Sequence, residues 1–169
     1  MTRVLALDQA SRDSRWAVFI DGELKDYGVF STHKTDIGIR LVKLREFVIN
    51  KIQEWKIDYI AFEDIQLQTS VGNNVKTFKS LANVWGVILE LTVEFKKDYS
   101  IVASGTWKSA LNIKGRTRPE QKANALKYVQ NTYQINPPQD AADAICIGTY
   151  VCGKSLAATI KDNGFDWSK

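Results

Sequence analysis

The stretch that decides the fold is VLALDQAS, Val4 to Ser11. Val4 to Leu7 is an unbroken apolar run, too short for a helix and suited to a strand buried on both faces. It stops at Asp8, and a polar stretch, Gln9 to Ser14, follows. An acid at the end of a buried strand is costly unless something compensates its charge. A second segment has the same design. DYIAFE, Asp58 to Glu63, is apolar through its middle and ends in Glu63.

Between the two lies enough chain for a hairpin and a helix. Trp16 to Ile20 and Leu24 to Ser31 read as strands around Asp21-Gly22, a dipeptide suited to the positive φ of a tight hairpin. The opening is therefore a three-stranded antiparallel meander. Asp36 can cap a helix running to about Trp55. Ile37, Leu41, Leu44, Val48, Ile52 and Trp55 recur at steps of three and four, and the charges, Arg40 among them, occupy the other faces. A right-handed crossover then lays the Asp58–Glu63 strand parallel to the first. Asp8 and Glu63 meet at one carboxyl edge, where ligands bind in open α/β sheets. Asp64 points away. Ser100 to Ala103 is a further parallel strand. The expected fold is α/β, a five-stranded mixed sheet flanked by helices, in a single domain over residues 1–169 whose tail from residue 153 is loosely held.

A third acidic motif is DAADA, Asp140 to Ala144. Pro137-Pro138 ends the preceding segment, and an apolar helix starts at Asp140. Asp140 and Asp143 stand at i and i+3, which in a helix puts both on one face. Four carboxylates, Asp8, Glu63, Asp140 and Asp143, invite a hard divalent cation with oxygen ligands, Mg²⁺ or in its place Mn²⁺. Two such ions roughly 3.5–4 Å apart can activate water and offset charge on a leaving oxygen. Asp8, at the sheet centre, is the expected bridging ligand. Lys108 or Lys122 would stabilise charge developing on the phosphate.

The remaining segments suggest a polyanionic partner. Gln66 to Phe78 opens as a polar loop in which Gln66, Gln68, Asn73, Asn74 and Lys76 can reach phosphates or bases. Ser104 to Lys122 reads as a basic loop with Lys108, Lys114, Arg116, Arg118 and Lys122 against the single acid Glu120. It leads into a helix over Thr117 to about Gln130, whose start carries the T-x-x-E capping signature with Pro119 in the first turn. Such a loop suits phosphate. The helix from about Val75 to Phe95 is apolar more than halfway round, which favours a homodimer.

The chain has 169 residues and a net charge of +4. That balance is compatible with nucleic acid without requiring it. Cys146 and Cys152 lie on different faces of one helix and read as reduced thiols of a cytosolic protein. His33, the only histidine, reads as a loop residue. No apolar run reaches the length of a membrane span, no signal-peptide pattern opens the chain, and no phosphate-binding glycine motif supports an ATPase.

Together, LALDQAS, AFEDIQ and the D-x-x-D of DAADA resemble the RuvC family of Holliday-junction resolvases, within the ribonuclease H-like superfamily, over about residues 1 to 153. The resemblance implies a magnesium- or manganese-dependent homodimer that nicks four-way DNA junctions in pairs. Asp8, Glu63, Asp140 and Asp143 match its acids, and Lys108 and Lys122 are candidates for its lysines. It implies a cytoplasmic place, in a bacterium or a phage-infected cell. The family pairs with a branch-migration complex, for which this sequence shows no surface. Its loop after the fourth strand often carries an aromatic. Here Leu67 and Val71 stand in that stretch, and the first aromatic is Phe78. The same acids would also serve a nuclease of RNA–DNA hybrids, and the fold would also suit a noncatalytic branched-DNA binding module.

Overall fold

A computed structural model describes residues 1–66 and 75–153. Gln68, Asn73 and Asn74, and the tail apart from Gly153, lie outside the described residues. The sheet has five strands: β1 (Arg3–Asp8), β2 (Asp13–Ile20), β3 (Glu23–Ser31), β4 (Tyr59–Glu63) and β5 (Asp98–Val102), in the order β3-β2-β1-β4-β5. β1, β2 and β3 form the antiparallel meander, while β4 runs parallel to β1 and β5 parallel to β4. The expected mixed sheet is present. Asp21 and Gly22 both take positive φ, 51° and 84°, and Ile20 pairs with Glu23 across them. Their backbone twist suits a two-residue hairpin.

The continuous apolar character of β1 has a simple cause. Val4 and Ala6 point into one core and Leu5 and Leu7 into the other. Tyr59 and Ala61 against Ile60 and Phe62 divide the same way on β4. Two helices, α1 (Ile37–Glu54) and α2 (Val75–Glu94), cover one face. Asp36 caps α1, its carboxylate accepting from Ile39 N at 2.9 Å. Arg40 departs from the expected solvent face. It is buried, and its guanidinium donates to the carbonyls of Lys34 and Thr35, closing the loop ahead of its own helix.

The other face carries α3 (Ser104–Ala110), α4 (Arg118–Tyr133) and α5 (Ala142–Gly153), the last entered through a 3₁₀ turn at Gln139–Ala141. Thr117 and Glu120 form the expected capping box on α4. α5 lies against the sheet through Ala142, Ala144 and Gly148, all buried. A Cβ on Gly148 would fall 2.1 Å from Phe19 Cε2, so only glycine fits there. The start of the basic segment is not the expected loop but the short helix α3, pinned by a single side chain, the fully buried Trp107. No described helix is long and apolar enough to cross a membrane.

Candidate active site

The carboxyl ends of β1 and β4 bring Asp8 and Glu63 side by side. Their strands are in register, Leu7 facing Phe62 one step earlier. Gln9 fixes this alignment. Its amide donates to the Glu63 carbonyl and accepts from Glu63 N at 3.1 Å, adding a side-chain rung beyond the ladder. The first turn of α5 adds Asp143. These three acids line one cleft of about 980 Å³ between the sheet edge, the start of α2, α3 and the turn before α4, and Asp64, against the expectation that it points away, lines it too. Five basic side chains share its wall: Arg15, Lys108, Lys114, Arg118 and Lys122.

The acids feel one another. Burial, then the Asp143 charge, pushes Asp8 up to about 6, against the pull of Arg15 and Lys122. Burial, then Asp8, pushes Glu63 up to about 7, while Lys108 and the Ser104 hydroxyl work the other way. Burial raises Asp143 too, opposed first by Lys108 and then Lys122. Burial is the first cause at all three, and neighbouring acids add to it at Asp8 and Glu63.

Asp140 behaves differently. The continuous helix expected from Asp140 is a 3₁₀ turn feeding an α-helix, and the expected pair divides, Asp143 lining the cleft and Asp140 not. The Asp140 side chain is 52% exposed. It accepts from Lys122 Nζ at 3.0 Å and pairs with Arg15 at 3.3 Å. The Lys122 hydrogen bond, joined by Arg15, holds its carboxyl below the ordinary range. Arg15 also stands 3.7 Å from Asp8, its cross-strand partner. Cations thus bridge Asp140 to the other acids.

A model of the crossover junction endodeoxyribonuclease RuvC family matches residues 4–151. The chain belongs to the RuvC family. Among solved structures, Thermus thermophilus RuvC in complex with Holliday junction substrate shares its fold at 15% identity and TM-score 0.75, over 94% of this chain and 98% of that one. A yeast mitochondrial Holliday junction resolvase matches at 14% identity and TM-score 0.61, covering 95% of this chain and 80% of that one. A Fowlpox virus resolvase with substrate Holliday junction DNA matches at 10% and 0.59, covering 90% and 97%. At these identities the likeness speaks for the fold, which is ribonuclease H-like as expected. A comparison with curated protein sequences finds no match.

The expected residues of this RuvC-family chain divide into three groups. Asp8, Glu63, Asp143, Lys108 and Lys122 line the cleft, as do Gln66, Lys114 and Arg118. Asp140 touches the cleft only through Lys122 and Arg15. Lys76 and Arg116 are exposed and do not line it. Phe78 does, half-buried on the first turn of α2. Among the described residues no three Asp, Glu, His or Cys side chains are gathered closely enough to hold a metal ion as they stand. The expected four-acid cage is therefore not preformed. Arg15 and Lys122 take up Asp140 instead. The donor set nevertheless suits a hard cation. It consists of carboxylate oxygens, partly withdrawn from water and mutually repelling, a repulsion that a divalent ion would discharge.

Arg15 and Gln9 carry no role in the sequence pattern. A signal for Arg15 exists in retrospect. Opposite charges at Asp8 and Arg15 flank the polar connection, and closing it as an antiparallel turn pairs them.

Proposed function

We propose that this chain resolves four-way DNA junctions by paired, metal-dependent nicks. The observation that carries the reading is the convergence of Asp8 from β1, Glu63 from β4 and Asp143 from α5 in one cleft walled by five basic side chains. Acids on the floor suit a divalent cation, and bases on the wall suit the phosphate chain that must pass over it. Asp8, Glu63 and Asp143 would hold the ion. Asp140 would join them by exchanging Lys122 and Arg15 for it. RuvC-type enzymes are metal-dependent nucleases, and the ion here is proposed to be Mg²⁺, with Mn²⁺ substituting, two per site. Bound there, such ions supply an activated water and offset charge on the leaving oxygen.

The chain's own groups do the rest. Lys108 stands beside Glu63 and Asp143 and offsets negative charge at the acid floor. Lys122 does so from the Asp140 side. Lys114, Arg118 and Gln66 at the cleft wall, with Arg116 and Lys76 further out and Gln68 and Asn73 in the connection before α2, are proposed to grip the backbone of the arms. Paired nicks need two such clefts, which supports a homodimer. α2 is apolar more than halfway round and leaves Val75 and Val93 exposed, as a helix buried against a second copy would. The place of action is proposed to be the cytoplasm.

The test is a nicking assay on synthetic four-way, three-way and linear DNA and on an RNA–DNA hybrid, with and without Mg²⁺ or Mn²⁺. Symmetrical nicks confined to branched DNA and dependent on metal support the reading. Preferential cutting of the hybrid would make the chain a hybrid nuclease, and tight binding without cutting at any metal level a binding module.

A further inference from the structure

The turn that carries Lys114 and Arg116 is fastened to α4 by three side chains from the first two turns of that helix. Glu120 accepts from Arg116 N at 2.7 Å and from Thr117 N at 3.3 Å. Asn124 donates to the Lys114 carbonyl at 2.7 Å. Gln121 donates through Nε2 to the Gly115 carbonyl at 3.1 Å. The turn lies directly on the helix. A Cβ on Gly115 would fall 2.8 Å from Gln121 N and 2.9 Å from Gln121 Cγ, so the close approach demands glycine.

Gln121 differs from its two neighbours in facing the cleft as well. Its Oε1 accepts from Lys108 Nζ at 3.2 Å. The direction of the amide is chemically forced. A lysine ammonium only donates and a backbone carbonyl only accepts, so the oxygen must face Lys108 and the nitrogen Gly115. One half-buried side chain therefore joins the basic turn to the lysine that stands over Glu63 and Asp143.

We propose that Gln121 is a positioning residue. It holds the Lys108 ammonium over the carboxylate floor and ties it to the turn bearing Lys114 and Arg116, so that the DNA grip and the cleft cation move as one piece. The proposal rests on the nuclease reading above. The ammonium also lies over the Trp107 ring, 5.1 Å from its centroid, a contact that leaves its direction open; without the Gln121 tether the flexible four-carbon stem would let the head range between that ring, solvent and the acids. Lys108 is the foremost cation opposing the raised carboxyls of both Glu63 and Asp143, so its position matters to both.

The test uses Gln121→Met, which keeps the side chain's length and loses both hydrogen bonds. Single-turnover nicking of a four-way junction at saturating Mg²⁺ should slow about tenfold, the worth of one hydrogen bond to a charged group. Junction affinity, read in an Asp8→Asn background, should change by less than about twofold, because the loss falls on the cutting step. In a Lys108→Ala background the same substitution should cost less than about twofold, since a residue acting through Lys108 has nothing left to position. Gly115→Ala, which pushes Gln121 from the turn side, should reproduce the slowing. An independent arm follows the Lys108 Nζ group by NMR. Its signal should turn from restrained to freely averaging in Gln121→Met. Equal losses in both backgrounds, a loss confined to binding, full-rate cutting, or an unchanged Lys108 signal would each overturn the proposal. If the wild-type chain cut nothing in metal, the nuclease reading would fall, and the NMR arm would still decide for or against the tether.

Discussion

Replacing Gly148 with alanine tests whether the packing of α5 sets the chemistry of the cleft. The new methyl would lie 2.1 Å from Phe19 Cε2, 2.7 Å from Cδ2 and 2.9 Å from Cζ. Carbon atoms rest about 3.5–4.0 Å apart, so roughly 1.5 Å must be found. Phe19 has nowhere to go. It is fully buried and meets Tyr133 edge-on at 6.3 Å between centroids. The helix must lift, and overpacking of this kind costs about 1–3 kcal/mol, here toward the upper end. For a chain of this size that is a fall in Tm of about 6–12 °C, at roughly 2–4 °C per kcal/mol. Asp143 sits on the same rigid helix, so it moves away from Asp8. A misplacement of about 1 Å in a reacting constellation can cost on the order of a hundredfold in rate. Thermal melts and single-turnover junction nicking would be measured for Gly148→Ala and for Gly148→Ala combined with Phe19→Leu. The second change makes room and should return much of both losses. A Gly148→Ala protein that melts within about 1 °C of wild type would refute the packing argument, the expected fall being several times that. One that melts low but cuts at full rate would refute the link between α5 and the site.

Asp8→Asn should fold, bind a four-way junction and cut it at least about a thousandfold more slowly, the order expected when a central catalytic acid is removed; normal cutting by this variant would reject the acid cluster as the active site. Lys114→Ala with Arg116→Ala should weaken junction binding and flatten its dependence on log salt by about two units, near one for each phosphate no longer neutralised. An unchanged slope removes the turn from the interface. The pH dependence of metal-free stability follows from the raised carboxyls of Asp8, near 6, and Glu63, near 7. Unfolded carboxylates titrate near about 4, so between about 4 and 7 the folded chain holds protons that the unfolded chain releases. Stability should rise as pH falls from about 8 to about 5, and Glu63→Gln should shrink that rise. The lowered carboxyl of Asp140 adds a constant stabilisation across this window and loses it only as pH falls below about 4. A flat or inverted profile in calorimetry would contradict the burial of the pair.

The legible parts of the sequence were those where one local signal sufficed. An apolar run ending in an acid marked β1 and β4, because a central strand buried on both faces shows no alternation. Asp21-Gly22 announced its hairpin and Thr117-Glu120 its cap. The obscure parts depended on contacts across the fold. α3 has no amphipathic period in seven residues and exists through the burial of Trp107. Asp140 and Asp143 carry helical spacing, but a 3₁₀ entry separates their environments, and nothing in DAADA signals it. Gln121 is, by sequence, one more polar residue in a basic stretch. Its amide acquires a role only once Gly115 folds back onto the helix.

The central place of β1 has a consequence for how this molecule breathes. Pairing with β2 on one side and β4 on the other, with alternate side chains locked into each core, leaves its amide protons no local route to solvent. Hydrogen exchange at Leu5 to Leu7 should report only the opening of the entire domain. Asp8 hangs from the last segment to come apart, so peripheral fluctuation can admit and release a bulky substrate while the acid that anchors the cleft stays where it is.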